Sequence, residues 1–130
     1  MKPTDDLRVK GYQQLMEPSV LKQELAISQV AHTTVLSGRD AIEKILNKED
    51  KRLMVIVGPC SIHDEKAAYE YAEKLKKLRD EVSEALLVVM RVYFEKPRTS
   101  VGWKGLINDP QLDGTCDITD GVRKARRILL

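Results

Sequence analysis

The sequence predicts an α/β fold with parallel strands, and three observations carry that prediction. LMVIVG (53–58) and ALLVVMRV (85–92) are short, continuous apolar runs. Both are rich in branched residues and neither alternates, which is how strands covered on both faces read. The segments between and after them repeat apolar residues at helical spacing, and strands alternating with amphipathic helices build βαβ units.

Each element has its own local reason. Residues 1–17 are polar and irregular, punctuated by Gly11 and Pro18, and read as an arm. A short helix is predicted from Ser19 through about Ala26. A longer one follows Ser28 as N-cap, with Val30, Ala31, Val35, Ile42, Ile45 and Leu46 as a rough apolar stripe and Asn47 at its end. Gly38 lies inside that stripe and weakens it. Gly58-Pro59 closes the first strand. Asp64 then suits the N-cap of a helix whose Ala68, Tyr71, Ala72, Leu75, Leu78 and Val82 share a face. Glu70 with Lys74, and Glu73 with Lys77, are placed for i,i+4 pairing on its wet side. After the second strand comes a long polar connection over 93–116. A final helix starts near Asp117 or Thr119 and carries Ile118, Val122, Ala125 and Leu129 on one face. There is no internal repeat. Two strands do not make a covered sheet, and RRILL stops in mid-pattern, so the reading is of the N-terminal portion of a longer α/β protein.

Composition bounds the function classes. The 130 residues are 42% hydrophobic and 32% charged, with net charge +2. That is ordinary globular composition. The charge is too small to argue for nucleic acid or a membrane as partner, and few aromatics interleave with the cations. No apolar run approaches the ~20 residues of a membrane span, and the N-terminus lacks a signal-peptide core. The expected location is the cytoplasm. Cys60 and Cys116 are expected as free thiols there. Neither Cys60 nor His63 belongs to a paired CxxC arrangement, so no complete metal site is expected within these residues.

In parallel α/β folds ligands bind beyond the carboxyl ends of the strands. Two stretches occupy that position: GPCSIHD (58–64) and VMRVYFEKPRTSVGWKGLINDP (89–110). Cys60 is either a soft metal ligand or nucleophile, or simply a small buried residue, and position alone favours the second. His63 is ambiguous in the same way. Arg91 lies at the end of an apolar run, where a charge is costly unless paired, which points to an anionic partner. Lys96, Arg98, Thr99 and Ser100 around Pro97 add a phosphate-binding chemistry, with Arg as a planar fork and Lys as a point charge. Trp103, Gly102 and Gly105 read as packing and turn residues, and Glu95 as a partner for a nearby cation.

GPCSIHD, RVYFEKPRTSVGWKGLINDP and DGVRKAR together resemble the type I 3-deoxy-D-arabino-heptulosonate 7-phosphate (DAHP) synthases, in the branch regulated by aromatic amino acids. The resemblance runs from about Asp5 to the end. It implies an N-terminal arm and helical extension over 1–50, then the first βα units of a (β/α)8 TIM barrel over 51–130. It implies condensation of phosphoenolpyruvate with D-erythrose 4-phosphate, releasing phosphate, as the first step of the shikimate pathway and aromatic amino acid biosynthesis. It further implies a divalent metal ion (Mn, Fe, Co or Zn) and a homo-oligomer, dimer or tetramer. By this resemblance Cys60 is a metal ligand and Arg91 and Lys96 hold phosphoenolpyruvate. Lys96, Pro97, Arg98 and Thr99 surround erythrose 4-phosphate, with Lys96 also the catalytic residue. Asp5 and Asp6 match arm positions at an inhibitor pocket of a neighbouring subunit. Ser100 stands where many members have Thr, and Cys116 matches no motif position.

Two other readings compete. One is 3-deoxy-D-manno-octulosonate 8-phosphate synthase, disfavoured by KPRTS and the arm. The other is a non-catalytic phosphate-binding remnant or interaction module. By the DAHP synthase resemblance, several substrate-binding cations and three of four metal ligands lie outside these residues and a barrel open after two strands exposes its core, so the isolated chain is expected to be inactive.

Overall fold

The computed structural model describes residues 5, 7–9, 11–97 and 101–130. Its elements follow the order α1 (Pro18–Glu24), α2 (Gln29–Leu46), β1 (Leu53–Val57), α3 (Glu65–Glu81), β2 (Leu86–Met90) and α4 (Ile118–Leu129). Asp6, Arg98 and Thr99 lie outside the described residues.

Local chemistry sets the helix starts. Pro18 opens α1, where a missing N–H costs nothing. The Ser28 hydroxyl accepts from the Ala31 amide (3.1 Å) at α2. The Asp64 carboxylate accepts from the Ala67 amide (2.7 Å) at α3. The Asp117 carboxylate accepts from the Asp120 amide (3.1 Å) at α4. Each cap satisfies an amide the helix itself leaves orphaned.

β1 and β2 pair in parallel, with Leu53 opposite Leu86 and Val57 opposite Met90. Backbone pairing continues past the strands. The Arg91 amide donates to the Val57 carbonyl (2.7 Å), and the Ile62 amide donates to the Tyr93 carbonyl (2.7 Å). The carboxyl ends of both strands are therefore tied together.

The strands are not covered on both faces as the apolar runs predict. Leu53 and Ile56 are 66% and 60% exposed. A two-stranded sheet is too narrow to be enclosed by the helices that pack on it. For the same reason Tyr71 and Leu78 of α3 and Leu129 of α4 stand partly in solvent, and α2 buries no side chain fully.

The core gathers at the carboxyl end of the strands. Ile62, Ala68, Phe94, Leu106 and Ala125 form it, with Val92, Trp103, Ile107 and Ile128 packed around them. Gly121 of α4 lies against the Ile107 carbonyl, where any Cβ would overlap that oxygen. α1 is tethered to α4 by Arg123 and Glu24 (2.8 Å) and by Arg126 Nε donating to the Leu25 carbonyl (2.7 Å). On α3 the surface pairs are Lys66 with Glu70 (4.0 Å) and Arg79 with Asp80 (2.7 Å), not the Glu70–Lys74 and Glu73–Lys77 pairs read from spacing. Among the described residues no helix is long and apolar enough to cross a membrane.

Candidate functional site

The core supports two segments that leave the strand ends side by side. After β1 the chain turns at Gly58, which approaches the neighbouring strand closely. A Cβ there would sit 2.5 Å from the Arg91 carbonyl oxygen. Only glycine permits that approach. Pro59 and Cys60 follow, and Cys60 is a free, exposed thiol, not a buried one. Next to it the Ser61 hydroxyl is buried with no hydrogen-bond partner among the described residues. His63 is exposed.

After β2 the long connection is not structureless. Glu95 bridges Gly105 in antiparallel fashion. The Lys96 amide donates to the Lys104 carbonyl and the Leu106 amide to the Phe94 carbonyl, each at 2.8 Å. Gly105 sits at φ 129° with the Phe94 carbonyl against its α-carbon, so a side chain there would meet both strain and overlap. Residues 94–96 and 104–106 thus pair as a hairpin stem. Behind it the Trp103 indole donates to the Asp109 carbonyl (2.7 Å), and the Asp109 carboxylate accepts from the Gly114 amide (3.2 Å). Phe94 and Leu106, facing each other across the stem, are core residues. The hairpin is thereby fixed to the rigid part of the fold.

This arrangement brings together three of the residues read from the sequence. Lys96 Nζ lies 3.6 Å from Cys60 Sγ, spanning the two strand ends. Arg91 is exposed, so no burial cost has to be offset. Its Nη1 donates to the Pro59 carbonyl (3.3 Å), and its guanidinium carbon lies 5.0 Å from the centroid of the Tyr93 ring. Pro97 is exposed next to the hairpin stem, and Asp5 is exposed in the arm. The Glu95 carboxylate accepts from Asn108 Nδ2 (2.7 Å).

The sequence reading missed Tyr93 and Asn108. The signal for Tyr93 was available: Arg91 and Tyr93 are two apart on an extended segment and so share a face. Asn108 had none, because its contact with Glu95 depends on the hairpin register.

Among the described residues no three His, Cys, Asp or Glu side chains gather where they could hold a metal ion. Cys60 fits as a single soft donor, open to solvent at the carboxyl end of β1. Chemically, the site offers a thiol and two cations converging on one exposed face, suited to a phosphorylated or carboxylated ligand.

The sequence model of the DAHP synthetase I family matches residues 22–125. The Phe-sensitive phospho-2-dehydro-3-deoxyheptonate aldolase of Escherichia coli K12 is 54% identical over 126 residues, which cover 97% of this chain and 36% of that protein. The tyrosine-inhibited enzyme of Schizosaccharomyces pombe is 51% identical over 124 residues, 95% of this chain and 33% of its own. A solved phospho-2-dehydro-3-deoxyheptonate aldolase from Francisella tularensis SCHU S4 superposes with a TM-score of 0.88 at 46% identity, over 92% of this chain and 35% of that one. The chain therefore spans about a third of the length of the relatives it matches.

Proposed function

The chain belongs to the DAHP synthetase I family, and from that membership we propose that a protein carrying it at the relatives' length condenses phosphoenolpyruvate with D-erythrose 4-phosphate. The products are DAHP and inorganic phosphate. A new carbon–carbon bond joins C3 of phosphoenolpyruvate to the aldehyde carbon, water adds at C2, and phosphate leaves. The fold of that protein is a (β/α)8 barrel of which β1, α3, β2 and α4 are the first units.

The observation that carries this reading is the convergence of Cys60, Arg91 and Lys96 at the carboxyl ends of paired parallel strands. Arg91 and Lys96 hold the phosphoenolpyruvate anion. Lys96, with Pro97, Arg98 and Thr99, receives erythrose 4-phosphate. The cations neutralise two phosphorylated substrates that would otherwise repel, and hold their reacting carbons together. Lys96 stands where both substrates meet and orients them. Cys60 supplies one donor to a divalent metal, whose other ligands come from outside these 130 residues. When bound, that metal polarises the aldehyde oxygen as a Lewis acid. The protein acts in the cytoplasm as a homo-oligomer, and Asp5 and Asp6 contribute to its regulation.

The test is a substrate-preference assay on the relatives-length enzyme, with Cys60→Ala and Arg98→Ala beside the wild type. Phosphate release is expected with erythrose 4-phosphate and not with arabinose 5-phosphate. Cys60→Ala is expected to lose bound metal together with activity. Arg98→Ala is expected to raise KM for erythrose 4-phosphate more than for phosphoenolpyruvate. Activity with arabinose 5-phosphate alone, or a fully active metal-free Cys60→Ala enzyme, would overturn the reading.

A further inference from the structure

We propose that Tyr93 is a positioning residue: its ring holds the Arg91 guanidinium in place for the anionic substrate without neutralising it. The inference rests on the reading of Arg91 as a phosphoenolpyruvate ligand. It starts from what Arg91 lacks. Among the described residues Arg91 has no carboxylate within ion-pair distance, although the chain has 20 acidic residues. Its contacts are two uncharged groups, the Pro59 carbonyl oxygen at 3.3 Å and the Tyr93 ring at 5.0 Å.

That choice of partners has a chemical meaning. A carboxylate beside Arg91 would hold it well but would also compete with a phosphate or carboxylate ligand for the same N–H groups. The face of an aromatic ring attracts a cation through its quadrupole and offers no competing acceptor. One carbonyl occupies a single nitrogen of the guanidinium, leaving the rest of its five-donor fork free for a ligand. Without the ring, an exposed arginine samples many rotamers, and ordering it would oppose binding.

The backbone makes the pair rigid. The Arg91 amide is bound to the Val57 carbonyl (2.7 Å), and the Tyr93 carbonyl accepts from the Ile62 amide (2.7 Å). Both ends of the Arg91-Val92-Tyr93 step are therefore held to the neighbouring segment. Val92 between them packs on the core. Ring and guanidinium lie together on a segment just past β2 whose position neither side chain controls.

The experiment measures phosphoenolpyruvate affinity of the relatives-length enzyme by calorimetry, with KM values for both substrates beside it. Tyr93→Leu, which keeps apolar bulk and removes the π face, is expected to weaken phosphoenolpyruvate binding about 3- to 10-fold. It should leave KM for erythrose 4-phosphate within about 2-fold. Tyr93→Phe restores the ring and is expected to rescue the affinity. In an Arg91→Met background, Tyr93→Leu should add nothing, since the two residues act as one unit. Equal behaviour of the Leu and Phe variants, or a Tyr93→Leu effect that persists in Arg91→Met, would overturn the role of the ring. If Arg91→Met itself binds phosphoenolpyruvate normally, the reading of Arg91 as a ligand falls instead. A weakened Arg91→Met with an unaffected Tyr93→Leu removes only the role of Tyr93.

Discussion

Gly58→Ala is the sharpest single test of how the strand ends are held. The added Cβ would lie 2.5 Å from the Arg91 carbonyl oxygen, 3.0 Å from the Arg91 Cβ and 3.1 Å from the Arg91 amide nitrogen. A carbon–oxygen contact settles at roughly 3.3 Å or more, so the two segments must part by about 0.8 Å. The hydrogen bond from the Arg91 amide to the Val57 carbonyl is 2.7 Å long and spans the same gap. Opening by that amount takes it to about 3.5 Å, the limit of a hydrogen bond. Losing it at a partly buried position costs about 1–3 kcal/mol. For a chain of this length each kcal/mol moves Tm by roughly 4 °C, so a fall of about 4–12 °C is expected. Trp103, the sole tryptophan and part of the core surround, reports the transition by fluorescence. Because Arg91 moves with its backbone, phosphoenolpyruvate affinity of the relatives-length enzyme should fall about tenfold as well. An alanine variant that melts with the wild type and binds normally would refute the steric argument.

Two further outcomes follow from the core and from the α1 tether. Leu106 is 2% exposed, and Leu106→Ala is expected to cost about 2–5 kcal/mol, against less than about 1.5 for Leu106→Met; a shared urea midpoint for the two would contradict the packing described. Glu24 is held below the ordinary carboxylate range, chiefly by its hydrogen bond from Arg123. A carboxylate depressed on folding stabilises above its unfolded pKa and loses that contribution as pH falls through its folded value. Protection factors of the amides of residues 19–24 should therefore fall on acidification, and an identical pH profile in Glu24→Gln would show that the ion pair is not responsible.

Much of this fold was legible because its determinants are local. Ser28 and Asp64 were each recognisable as N-caps, since a cap needs only its own side chain and an amide two or three residues on, and Asp117 was one of two starts read for the last helix. The two strands were legible from their apolar runs, and their parallel pairing from the helix between them. What escaped the reading depends on contacts across sequence. The hairpin stem of Glu95 and Gly105 joins residues with no alternating pattern, so 93–116 read as unstructured. The contact of Glu95 with Asn108 likewise depends on register across the stem. Arg91 was read as a charge in a buried run, whereas the strand ends before it and the side chain is exposed. Cys60 and Lys96 were legible as chemistry, yet their 3.6 Å approach required both strand ends to be tied together.

The position of Arg91 matters to the chain before any ligand is present. LMVIV and LLVVM are the kind of short, uncharged β segments that stack into aggregates when exposed during synthesis or refolding. Charged residues abut them: Lys51 and Arg52 precede the first, and Arg91 directly follows the second. Arg52 is further anchored by Asp50 (2.6 Å). Such flanking charges act as gatekeepers, because stacking would bring like charges into register. Arg91 thus guards the solubility of its own strand as well as standing at the strand ends. Replacing it removes a gatekeeper together with the proposed phosphoenolpyruvate contact, so yield and affinity of Arg91 variants must be read side by side.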